Sequence, residues 1–246
     1  MDNKKGVTSY KVYSNEVNFK WQFSVSKIAE ALIDGASRHA ENNGFGFRDL
    51  EKNNHAWVLA RLCFEMKKYP TIDDTLIVET WVESFNKHFS SRNFCMKDAS
   101  GEVIGYARSI WSVINYDTRE AVNLLDYNKI GELIADYPCP IERQSRIEAP
   151  IDENPENYRI RLSDLDVNRH LTSGKYIDHL LDTIDETQFE EGYVSRFEIQ
   201  YMSEVLYKEN VILAKQEILP GNYLLELKNQ EGNGACKCKV IFNKDI

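Results

Sequence analysis

One order of elements occurs twice along the 246 residues, and that repetition restricts the chain to folds built from two like halves. In the first half, residues 7–23 are rich in Tyr, Val, Phe and Trp with rough alternation, and read as a strand. From Ser24 the period lengthens. Val25, Ile28, Ala29, Leu32, Ile33 and Ala36 recur at helical spacing on one stripe, with Ser24 placed to cap the helix and Gly44 and Gly46 beyond its end. Strand-like runs follow at 56–65, 75–84, 90–97 and 103–116. The second half repeats the order: a short strand at 158–162, a helix at 172–184 with Tyr176, Ile177, Leu180, Leu181 and Ile184 on its stripe, then strands at 195–201, 210–218, 223–228 and 235–243. The turn at 229–232 echoes the turn at 98–101.

Between the copies, residues 137–157 hold four of the six prolines (Pro138, Pro140, Pro150, Pro155) and no periodicity, which reads as an exposed linker. The expected division is a unit over 1–140, a linker over 141–157 and a unit over 158–246. One apolar helix followed by long antiparallel strands predicts an α+β fold, with each sheet curling around its helix to bury the stripe.

The bulk numbers exclude several classes. An apolar fraction of 42% is ample for packed cores, and no run approaches the ~20 apolar residues that span a bilayer. A net charge of −9 argues against a nucleic-acid partner. Five scattered cysteines suit a reducing compartment, and the N-terminal stretch does not read as a signal peptide, so a cytosolic location is expected. Cys236 and Cys238 read as ordinary strand residues, His39, His55 and His88 as structural, and His179, beside Asp178 and Asp182, as part of a surface ion pair. No G-x-S-x-G elbow, P-loop, H-E-x-x-H or paired C-x-x-C occurs, so serine-hydrolase, nucleotide-dependent and zinc chemistry lack support, and no cofactor is expected.

Chemistry concentrates just before the second helix. Asp166, Asn168 and His170 stand at alternate positions, and Glu204 follows. In an extended segment alternate residues share a face, roughly 6–7 Å apart, so the three would present a carboxylate, an amide and an imidazole to one side while Val167 and Arg169 point away. Such a set can orient a water, polarise a carbonyl and move a proton near neutral pH. A helix-capping loop is the alternative reading of the same residues.

The run Asp164-Leu165-Asp166-Val167-Asn168-Arg169-His170, then Lys175-Tyr176-Ile177, resembles the D-L-D-x-N-x-H and K-Y-I segment of acyl-acyl-carrier-protein thioesterases. Trp57-Val58, Tyr69-Pro70-Thr71, Thr80-Trp81-Val82 and Ser109-Ile110-Trp111 resemble that family's first half. The resemblance implies a tandem (double) hot-dog fold and hydrolysis of fatty acyl thioesters, with acyl carrier protein as partner. It implies catalytic roles for Asp166, Asn168, His170 and Glu204, no cofactor, and an acyl pocket shaped by the first unit. Plant members carry a Cys after the Glu; here Val205 takes that place, which favours an activated water over a thiol nucleophile. The rivals are an acyl-coenzyme-A thioesterase, a non-catalytic acyl-binding hot dog, and a hot-dog hydratase. Because carrier proteins are acidic, Arg143, Arg146, Arg159, Arg161, Arg169 and Lys175 are candidates for a docking face. The oligomeric state stays open.

Overall fold

A computed structural model describes residues 3–127 and 129–244. Two compact units emerge, Met1–Phe23 with Ile28–Arg143 and Ser24–Lys27 with Gln144–Ile246. The first contains β1 (Lys5–Lys11), all but the first turn of α1 (Val25–Asn42), α2 (Phe47–Glu51), β2 (His55–Met66), β3 (Thr75–Phe85), β4 (Ser90–Lys97), β5 (Val103–Asn115) and α3 (Lys129–Glu132). The second contains β6 (Glu156–Arg159), α4 (Ser173–Leu181), α5 (Glu186–Glu191), β7 (Gly192–Tyr201), β8 (Asn210–Leu219), β9 (Asn222–Asn229) and β10 (Gly234–Lys244).

Both sheets are antiparallel and follow one topology: β1-β3-β4-β5-β2 in the first unit, β6-β8-β9-β10-β7 in the second. Register shifts at Val82/Ser84 and Leu59/Arg61, and at Glu217/Leu219 and Ile241/Phe242, bend the long strands, as bulges do. The helices supply the apolar cover that these sheets need. Ile28 and Leu32 of α1 and Ile177 and Leu180 of α4 are fully buried. At Gly35 a Cβ would stand 3.3 Å from Val78, so α1 lies close upon β3. This is the tandem hot dog expected from the sequence. Among the described residues, no helix is long and apolar enough to cross a membrane.

The turns repeat atom for atom. Asp98 Oδ1 accepts from the backbone N–H groups of Ser100 and Glu102, and Asn229 Oδ1 from those of Glu231 and Asn233. Gly101 and Gly232 take the left-handed conformation at the same place in each turn, at φ 88° and 83°.

One expectation needs correction. The strand read over 7–23 ends at Lys11, because Asn18 Oδ1 accepts from the N–H groups of Lys20 and Gln22 and folds the chain into a turn. The linker is largely exposed, as expected, and is pinned at a few points. Ile147 is buried, the Gln144 amide donates to Ile199 O, and the Lys215 N–H donates to Asp152 Oδ2.

Inside the first unit, Arg92 is buried and donates through Nη1 to His39 Nδ1 at 2.9 Å and to Thr80 Oγ1 at 3.3 Å. With Nδ1 accepting, His39 Nε2 carries the proton and donates to Asn3 O at 2.9 Å. Burial, then the neighbouring guanidinium, lowers the His39 pKa to about 4. The unfolded imidazole takes up a proton near pH 6.5. The stability from neutral His39 is therefore fully present above that pH and lost as pH falls toward about 4, a change on the order of 3 kcal/mol. Glutamine can mimic both hydrogen bonds without titrating. Denaturant unfolding of His39→Gln should show a shallower loss of stability over this window than the unsubstituted chain, whereas an unchanged slope would mean that His39 is protonated in the fold.

Candidate functional site

The segment that carries Asp166, Asn168 and His170 is a tight turn and not the extended run expected. Asp166 N–H donates to His170 O at 2.8 Å, Arg169 N–H donates to Asp166 O at 3.0 Å, and Leu165 bridges Leu171. Arg169 sits at φ 65°, left-handed, which lets the turn close. The Asp166 side chain is the organiser: Oδ1 accepts from the N–H groups of Asn168 at 2.8 Å and His170 at 3.0 Å. Polar residues two apart thus reflect a side chain bonding its own backbone two and four residues on, not a shared strand face. Asp166 and Asn168 are exposed at the turn, beside Val167, which is 98% exposed.

Leaving the turn, the chain pairs with the segment after β7. Leu171 N–H donates to Val205 O at 2.9 Å and His170 bridges Leu206. This register sets Glu204 beside His170, with Glu204 Oε1 3.4 Å from His170 Nδ1. The imidazole is more shielded than the carboxylate, with side-chain exposures of 23% and 45%. Of the four residues singled out, His170 and Glu204 meet directly; Asp166 holds the turn between them and Asn168.

Two tyrosines fasten this junction to α4. The Tyr176 hydroxyl donates to Ser203 O at 3.0 Å and the Tyr201 hydroxyl donates to Ser173 O at 3.1 Å, with the rings edge-to-face at 5.5 Å. Burial raises both phenol pKa values, so neither competes as a proton carrier near neutral pH. Thr172 caps α4 by accepting from Lys175 N–H. The first N–H groups of a helix have no partner within it, which leaves those of Ser173 and Gly174 to bond elsewhere.

Asp164, 3% exposed, anchors the other side of the turn. Its Oδ2 accepts from the Tyr158 hydroxyl at 3.0 Å and the Arg161 N–H at 2.8 Å, and its carbonyl accepts from Thr172 N–H at 2.9 Å. His179, expected in a surface ion pair, is instead buried, stacked on Tyr158 at 4.1 Å with Nε2 3.5 Å from Asp164 Oδ1. Burial lowers its pKa, against the pull of Asp164. The helix position gives no sign of this, because both partners come from β6 and the turn after it.

The first unit holds a twin of this turn that the sequence reading missed. Asn18 Oδ1 accepts from Lys20 and Gln22 N–H groups, Asn18 N–H donates to Gln22 O, Trp21 is left-handed at φ 64°, and Val17 bridges Phe23. Phe23 N–H donates to Pro70 O as Leu171 does to Val205 O. Position for position, Asn18, Lys20, Gln22 and Tyr69 stand where the second unit has Asp166, Asn168, His170 and Glu204. The signal was available as the shared spacing of Glu16-Val17-Asn18 and Asp164-Leu165-Asp166 ahead of each helix.

The six cations proposed as a docking face part company. Arg143 pairs with Glu83 at 3.2 Å and Lys175 with Asp178 at 3.1 Å, while Arg159 and Arg161 line an open groove with Lys208. All five cysteines are free thiols, with Cys236 and Cys238 buried in β10. Among the described residues, no three of His, Cys, Asp and Glu gather closely enough to hold a metal ion.

Comparison with known proteins fits this arrangement. Residues 3–129 match the acyl-ACP thioesterase N-terminal domain and residues 147–244 the C-terminal domain. Oleoyl-acyl carrier protein thioesterase 2 of Arabidopsis thaliana is 33% identical over 193 residues, 71% of this chain and 53% of the relative. The dodecanoyl-[acyl-carrier-protein] hydrolase of Cinnamomum camphora is 25% identical over 210 residues, 80% of this chain and 55% of its own. The chain thus spans about half the length of the curated relatives it matches. Among solved structures, an acyl-ACP thioesterase from Bacteroides thetaiotaomicron superposes with a TM-score of 0.91 at 32% identity, covering 98% of both chains. The 12:0-ACP thioesterase from Umbellularia californica, at 20% identity, shares the fold with a TM-score of 0.85 over 98% of both chains.

The organising role of Asp166 is testable by stability. Asp166→Asn keeps an acceptor oxygen for both N–H groups and should unfold like the parent. Asp166→Ala removes it and should lose about 1 kcal/mol in thermal or denaturant unfolding. Equal losses in the two variants would contradict the role.

Proposed function

Because the chain belongs to the acyl-ACP thioesterase family, we propose that it hydrolyses fatty acyl thioesters of acyl carrier protein, releasing the free fatty acid and the carrier thiol. What carries this reading is the 3.4 Å approach of His170 Nδ1 to Glu204 Oε1 beside an open turn. The pair holds a water and accepts one of its protons as the oxygen attacks the thioester carbonyl carbon. The developing oxyanion takes hydrogen bonds from the Asn168 amide and the leading N–H groups of α4, at Ser173 and Gly174. When the carbon–sulfur bond breaks, the proton held by the pair returns to the leaving thiolate, so the enzyme ends as it began. Asp166 acts through the turn, by fixing the backbone of Asn168 and His170.

Water as the nucleophile is supported by the surroundings: no cysteine flanks Glu204, whose neighbour Val205 is fully buried. The first unit keeps the same turn with Gln22 and Tyr69 in place of the acid–base pair, which supports a division in which the second unit supplies the chemistry and the first shapes the acyl pocket and its chain-length preference. Free cysteines throughout suit work in the reducing cytosol.

The decisive assay compares acyl chains of several lengths on carrier protein and on coenzyme A. The carrier thioester should be the better substrate, and His170→Ala should lower kcat at least about a hundredfold. Faster turnover of the coenzyme thioester would favour the coenzyme reading, and tight acyl binding without turnover would favour a silent acyl-binding protein.

A further inference from the structure

The groove beside the turn holds more positive charge than its fold requires. It is open, about 740 Å³, and lined by residues 157–163 with Tyr207 and Lys208, with no acid among them. In a chain with 39 acids to 30 bases, three cations facing one groove without a carboxylate are a departure from its average surface. Among the described residues no carboxylate lies within ion-pair distance of Arg159, Arg161 or Lys208. Aromatic rings steady two of them instead: Arg161 lies over Tyr158 at 5.5 Å and Lys208 over Tyr207 at 5.0 Å.

The first unit places opposite charges at the same corner. There Val12 N–H donates to Asp74 O and Asp73 N–H to Val12 O, as Ile160 N–H donates to Glu209 O and Lys208 N–H to Ile160 O in the second. Asp73 and Lys208 share the left-handed conformation, at φ 70° and 67°. Arg159 and Lys208 therefore occupy the places of Lys11 and Asp73, which form an ion pair at 2.9 Å. The second unit replaces attraction with repulsion between like charges, which is unfavourable until an anion arrives. The groove also adjoins the reacting groups. Leu206 bridges His170, and Lys208 stands in the turn that follows, which the Glu209 N–H closes onto Leu206 O.

We propose that Arg159, Arg161 and Lys208 form the subsite for the phosphate of a phosphopantetheine arm, the tether that carries the thioester sulfur. This rests on the thioesterase reading above and adds to it a place where the arm is gripped. Carrier protein and coenzyme A both present a phosphate at the far end of pantetheine, so the subsite reads the arm and not the body that bears it.

Lys208→Asp tests this cleanly, since it restores the charge pattern of the first unit and is compatible with that backbone. Calorimetric binding of 4′-phosphopantetheine and of pantetheine to the intact chain should show a preference for the phosphorylated arm of about tenfold, abolished in Lys208→Asp. In hydrolysis, the ratio of kcat/KM for acyl-carrier or acyl-coenzyme A to that for acyl-pantetheine should fall about tenfold in the variant. No phosphate preference in the unsubstituted chain, or equal losses on all three substrates, would overturn the subsite. A loss confined to the carrier substrate would overturn it too, in favour of a surface that reads the acidic carrier body. Absence of hydrolysis on every thioester would sink the thioesterase reading alone, because the binding comparison does not depend on turnover.

Discussion

The short backbone pairing of His170-Leu171 with Val205-Leu206 is the constraint on which the site depends. His170 and Glu204 are separated in sequence by two helices and a strand, and no side-chain attraction between two partly solvated groups would hold them together unaided. Main-chain hydrogen bonds fix the register, and register fixes which side chains are neighbours. The tyrosine pair then ties the end of β7 and the segment after it to α4, the Tyr176 hydroxyl bonding Ser203 O and the Tyr201 hydroxyl bonding Ser173 O. Because the hydroxyls bond carbonyls on opposite elements, a shift of the helix would break both bonds at once. Geometry needed for proton transfer is in this way set by the backbone bridge that follows β7.

The duplicated turn separates what the fold needs from what the chemistry needs. Both units keep an Asx side chain that accepts two backbone N–H groups, a left-handed residue, a bridge, and a capping Ser or Thr before the helix. These features recur because they close the chain onto its helix. Lys20, Gln22 and Tyr69 in the first unit show that the same backbone accepts other side chains at these places. Asn168, His170 and Glu204 are then substitutions on a common frame, as are Arg159 and Lys208 in place of an ion pair. The frame also explains the buried Asp164: with the Tyr158 hydroxyl and two backbone groups bonded to it, the entrance to the turn in the second unit is fastened more firmly than at Glu16, whose carboxylate accepts from the Tyr13 N–H in an exposed setting.

Strands and helices were legible because alternation, period and turn chemistry agreed. The run at 90–97 coincides with β4, and the remaining long strands were read to within a few residues at either end. The duplication was legible for the same reason. The turn at 166–170 was not, since polar residues at every second place are produced equally by a strand face and by an Asx side chain bonding forward along its own backbone. Residues 7–23 misled similarly, their aromatic content masking the Asn18 turn. His179 was read from its helical neighbours, whereas Tyr158 and Asp164, which bury it, come from another element. Lys208 escaped notice because proximity to Arg159 and Arg161 exists only in three dimensions.

A double-mutant cycle on kcat for an acyl-carrier thioester, built from His170→Ala, Glu204→Gln and the pair together, tests most directly whether the two side chains act as one unit. If they do, each single substitution cripples turnover and the double variant is hardly worse than the more damaged single. Losses that multiply, or full activity in Glu204→Gln, would mean that the 3.4 Å contact between them plays no part in moving the proton.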